Sequence, residues 1–120
     1  MSRCRHLSFI LSLFIMMPTI SLAQSSFTEL TDVPFMEGMV EGADDWVQFD
    51  TPEGHILQTR AQISGKTVKD IRRFYQDTLP EVGWVYDREG DFFSRDGDVL
   101  TLNFVSEKDN ISVLFEIKTK

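Results

Sequence analysis

The chain has 120 residues, 42% of them apolar, with 19 Asp and Glu against 12 Lys and Arg and a formal charge of −7 at pH 7. That length accommodates one ordinary domain and too little chain for two. The acidity repels phosphate backbones and anionic headgroups, and no basic stripe interleaved with aromatics offsets it, so nucleic acid and lipid surfaces are poor partners.

Residues 1–23 have the order of a secretory signal peptide. Arg3 and Arg5 precede an apolar run from Leu7 to Met17, and the segment ends in TISLAQSS with Ser21 and Ala23 at the small positions. Cleavage is expected between Ala23 and Gln24. The apolar run is shorter than the roughly 18 to 20 residues of a spanning helix and Pro18 interrupts it, so no membrane insertion is expected after cleavage. Cys4 is the single cysteine and leaves with the leader. The exported chain then lacks disulfides, thiolate nucleophiles and cysteine metal ligands. Its charge is about −9 once Arg3 and Arg5 are gone.

Residues 24–45 form an extended or irregular segment on this reading. QSSFTELT is a flexible lead, and DVPFMEGMVEG is broken by Pro34, Gly38 and Gly42 while offering Phe35, Met36, Met39 and Val40 as anchors across a sheet edge. Residues 46–120 form a single domain. WVQFD and HILQTRAQI alternate around TPEG, which predicts a hairpin, with Val47 and Phe49 in the same inward set as Leu57, Thr59, Ala61 and Ile63.

The period then changes. Thr67 and Asp70 are spaced as a capping box, and Val68, Ile71, Phe74, Tyr75 and Thr78 or Leu79 share one helical face. Pro80 must kink the helix or end it and restart one short turn, Gly83 supplies a left-handed terminator, and Trp84 turns inward as the first residue of a strand. Four runs follow, WVYDR, DFFSR, VLTLNFV and ISVLFEIK, separated by tight turns. The expected fold is α+β: an antiparallel sheet in the order ββαββββ, with the helix packed on one face.

The elements VPFMEGM, FDTPEGHI, FYQDTLPEVGW and FFSRDGDVLTLNF together resemble a family of small exported alphaproteobacterial proteins of unknown function, over about residues 32–117. The resemblance implies periplasmic residence and a helix-on-sheet fold. It brings no catalytic residue with it.

Chemistry is scarce in the inventory. His55 is the single histidine beyond the leader, at a turn exit, and none of Ser64, Ser94, Ser106 or Ser112 sits in a nucleophile elbow. DREGDFFSRDGD gathers Asp87, Glu89, Asp91, Asp96 and Asp98, yet counting from Asp87 puts Phe92 and Asp98 where a calcium loop needs Gly and Glu. Acid-lined hairpin turns are the reading, with weak adventitious calcium binding as the alternative. SGKT at 64–67 lacks the earlier glycine of a phosphate loop and serves as loop and cap. No catalytic, cofactor-binding or metal residue is assigned, and no cofactor is expected.

One pattern points outward. Ile56, Val85, Phe92, Val105 and Leu114 fall by alternation on the face away from the helix, where they make a candidate partner surface if contiguous. The leading expectation is a non-enzymatic periplasmic module that binds another envelope protein through its uncovered face or an exposed edge. A small apolar-ligand carrier and a carboxylate-dependent hydrolase are the alternatives.

Overall fold

The computed structural model describes residues 27–119, so the expected leader and its cleavage site lie outside the described residues. The elements in order are α1 (Phe27–Thr31), β1 (Val40–Glu41), β2 (Val47–Thr51), β3 (Gly54–Ile63), α2 (Val68–Thr78), a 3₁₀ turn (Leu79–Val82), β4 (Val85–Asp87), β5 (Phe92–Arg95), β6 (Asp98–Ser106) and β7 (Ile111–Thr119). Among the described residues the strands make one antiparallel seven-stranded sheet in the order β1-β3-β7-β6-β5-β4, and β2 also pairs with β3. The α+β fold read from the sequence is therefore the fold observed. No helix of the described residues is long and apolar enough to cross a membrane.

Topology follows from where the chain crosses. After β3 the helix carries it over the sheet to the far edge, and the meander β4 to β7 walks back until β7 lies against β3 along its whole length, from His55↔Thr119 to Ile63↔Ile111. Alternation then sets the inner face. Thr59, Ala61 and Ile63 on β3, Leu100 on β6, and Ile111, Val113, Phe115 and Ile117 on β7 are buried beneath Ile71, Tyr75 and Leu79.

The helix begins as its sequence requires. Asp70 N–H donates to Thr67 Oγ1 at 3.1 Å and Thr67 N–H donates to Asp70 Oδ2 at 2.9 Å, completing the capping box. The Thr67 hydrogen bonds hold the Asp70 carboxyl below its ordinary pKa. At the other end Pro80 sits in the 3₁₀ turn, Gly83 takes φ 95°, and Trp84 N–H donates to Leu79 O at 3.1 Å. Trp84 is 1% exposed and closes that end of the core.

Three expectations are corrected. The supposed flexible lead contains α1, whose Phe27 is fully buried with its ring 5.5 Å from Trp46, 5.9 Å from Phe115 and 6.4 Å from Phe35. A lone aromatic carries no period, which is why the sequence pattern passes over it. Likewise the segment after it is not draped over an open edge for most of its length. Val33 is buried, Phe35, Met36 and Met39 pack into the helix-side core, and the Tyr75 hydroxyl donates to Pro34 O at 2.9 Å. Val40–Glu41 alone joins the edge of β3.

The third correction concerns register. Pro52 and Glu53 form a two-residue loop, so Thr51 pairs with Gly54, Phe49 with Ile56 and Val47 with Gln58. Directly opposed residues share a face. Val47 and Phe49 therefore stand away from the helix, 43% and 40% exposed, rather than with Leu57 and Thr59.

Candidate functional site

The helix, α1 and residues 33–39 all cover the same side of the sheet, and among the described residues nothing covers the opposite side. Its residues follow from the pairing. One ladder runs Phe49↔Ile56, Ile56↔Lys118, Lys118↔Val99, Val99↔Ser94, Ser94↔Val85, from one edge of the sheet to the other. Four of its six positions are apolar, and the Lys118 ammonium turns to Glu116 Oε1 at 3.7 Å, so its methylene stem is what lies between Ile56 and Val99. Beside this row an open depression of about 270 Å³ is lined by Glu53, Gly97, Val99, Lys118 and Thr119.

All five residues of the expected partner surface lie on this open face, but they do not touch as a group. Val105 pairs with Ser112, and Leu114 sits between Arg60 and Asn103. Phe92 is opposite Asp87. Val105 and Leu114 are diagonal neighbours, whereas Val85 and Ile56 belong to the long ladder. Val85 and Val105 are strongly exposed, at 66% and 59%, while Ile56, Phe92 and Leu114 are half-buried. Val47, Phe49 and Val99 were missed by the alternation argument. Counting back from a two-residue Pro-Glu loop would have placed the first two opposite Gln58 and Ile56.

The acidic turns serve the backbone. Asp87 accepts from the N–H of Glu89 at 3.0 Å and of Gly90 at 3.1 Å. Asp96 and Gly97 take φ 52° and 90°, the paired left-handed geometry of a tight hairpin. Asp91, also left-handed, accepts two hydrogen bonds from Arg72 at 2.8 and 3.0 Å and one from the Tyr86 hydroxyl at 2.8 Å. Arg72 first and Tyr86 second hold the Asp91 carboxyl below its ordinary value, and donation to Asp91 pushes the Tyr86 hydroxyl up. With Arg72 also lying 4.9 Å over the Phe104 ring, this cluster clasps the helix to the β4–β5 turn. Among the described residues no group of three or more His, Cys, Asp and Glu could hold a metal ion.

His55 Nδ1 meets the Asp50 carboxylate across the hairpin, both side chains more than half exposed, and no hydrogen bond joins His55 to a serine among the described residues. The SGKT loop ends in the helix cap, as expected. On the helix side the space beneath α2 is filled by Ile71, Tyr75, Leu79, Val113 and Phe115. Burial of Tyr75 raises its hydroxyl well above the ordinary tyrosine range.

No family model, curated protein or solved structure matches the chain.

Proposed function

We propose that the chain is a non-enzymatic periplasmic module that binds another envelope protein through the side of the sheet that its helix leaves open. The observation that carries this reading is the one-sided covering of the sheet: every covering element packs on one face, and the other face carries Phe49, Ile56, Val99 and Val85 in a single ladder. An apolar row rimmed by polar side chains is the composition of a protein-binding surface. The basic, apolar and small-residue order of residues 1–23 supports export, and the resemblance to small exported proteins supports periplasmic residence. Close packing between helix and sheet favours a protein partner over an apolar ligand held there, since such a ligand needs a cavity of several hundred Å³.

The test is photo-crosslinking in intact cells from a reactive residue placed at Val85 or Val105, with Lys69 on the exposed helix face as control. One discrete adduct from the sheet positions and none from Lys69 is the expected result. Equal, diffuse labelling from all three would end the proposal.

A further inference from the structure

We propose that β2 is a docking edge, and that it takes an extended segment of alternating apolar and basic residues from the partner by strand addition. The inference rests on the reading that the open sheet binds a protein, and it names the part of that surface that selects the partner.

Three observations converge on β2. First, it pairs with β3 on one side only, and among the described residues no strand pairs with its other side. A strand left so presents a row of unpaired N–H and C=O groups, which is the template used in strand addition. The other edges are poorer templates: β1 has two residues and β4 has three, and the side of β6 left unpaired by β5 from Thr101 to Ser106 carries no charged side chain to select a partner and has Arg72 lying over its Phe104 ring. Second, four of the five residues of β2 are exposed, and its two large apolar side chains, Val47 and Phe49, begin the apolar row of the open face. A strand added beside β2 would extend that row by one column.

Third, the segment that leads into and forms this edge carries formal charge of a single sign. From residue 29 to residue 59 every formally charged side chain is Asp or Glu, whereas acids and bases are nearly balanced from Arg60 onward. Asp44 and Asp45 precede β2, Asp50 lies in it and Glu53 closes its turn. These acids disfavour a second copy, since β2 against β2 would set the same acids beside one another. They favour a cationic strand instead. The alternation of strand side chains then fixes the pattern. Apolar, preferably β-branched, residues of the partner would face Val47 and Phe49, and Lys or Arg would lie beside Gln48 and Asp50 on the other face.

The probe is a blocked heptapeptide of alternating lysine and valine, with an alternating glutamate–valine peptide as control, titrated into the isotope-labelled full chain. Amide shifts and slowed hydrogen exchange concentrated at Val47–Thr51, at least tenfold tighter binding of the lysine peptide, and weakening with added salt are expected. Phe49→Lys and Val47→Lys, both at exposed positions, are expected to weaken binding at least tenfold. The inference is overturned by shifts located elsewhere, by equal binding of the two peptides, by an unchanged affinity in both variants, or by dimerisation of the chain through β2. A cellular crosslink lost in Val105→Lys yet retained in Phe49→Lys would leave the open-face reading standing and sink the edge. Peptide capture at β2 without any crosslinked partner would uphold the edge and sink the reading of its use.

Discussion

Trp84 is the residue on which the corner between helix and sheet depends, and it is not fully satisfied there. The ring is buried, Arg95 lies 4.6 Å over it, and its indole Nε1–H has no hydrogen-bond partner among the described residues. Arg95 is itself fixed by donating to Val82 O at 3.0 Å and Thr31 O at 3.1 Å and by the Asp32 carboxylate at 3.2 Å, so one guanidinium ties α1, the 3₁₀ turn and β5 around the indole. A buried unpartnered donor costs about 1–3 kcal/mol. Trp84→Phe removes that donor along with part of the ring, and the two effects oppose. It is expected to stay within about 1.5 kcal/mol of the parent in urea unfolding, against a loss of about 3–5 kcal/mol for Trp84→Ala. A phenylalanine variant as damaged as the alanine one would mean that the indole N–H is satisfied after all. The inward turn of Trp84 was legible because Gly83 and Pro80 flank it. The role of Arg95 was not, since its partners at Thr31 and Asp32 are more than sixty residues away and no local pattern marks them.

At the scale of elements, the helix is secured twice, once by its own sequence and once by the meander. The capping box is local, and it was legible because hydroxyl and carboxylate lie three residues apart. Thr67→Ala is expected to lower stability by about 1 kcal/mol in thermal or urea unfolding. The clasp of Arg72, Asp91 and Tyr86 answers to pH instead. The Asp91 carboxyl is depressed in the folded chain, so its contribution is present above the ordinary carboxylate value near about 4 and is lost as pH falls through the lower folded value. The Tyr86 hydroxyl is raised, so its contribution is present below about 10 and is lost as pH rises through the higher folded value. Stability measured against pH should therefore fall less steeply in Asp91→Asn than in the parent at both extremes. Asparagine suits the comparison because it also tolerates the left-handed backbone of that position. Parallel curves would show that the cluster does not couple helix to turn. The hairpin was the harder element to read. Alternation showed which residues of β2 share a face, but only the pairing imposed by Pro52–Glu53 decides which face that is.

For the whole molecule, the two faces of one sheet make opposite predictions from similar residues. Phe115 and Val105 belong to adjacent strands, β7 and β6, and each is an ordinary apolar strand residue in the sequence. Phe115 is fully buried, with the rings of Tyr75, Phe35 and Phe27 within 6 Å, so Phe115→Ala should cost about 3–5 kcal/mol and take the fold with it at modest denaturant. Val105 is 59% exposed on the open face, and Val105→Lys should change stability by no more than about 0.5 kcal/mol. Phe92 and Leu114, also on that face, are half-buried, and charging them would disturb packing as well as docking. The informative comparison is therefore between stability and partner capture in the same variant. If Val105→Lys unfolds at the parent's midpoint and loses its crosslinked partner, the valine is kept for contact with another molecule. If it loses stability as Phe115→Ala does, Val105 is packed within the fold, and the open side of the sheet is a second core.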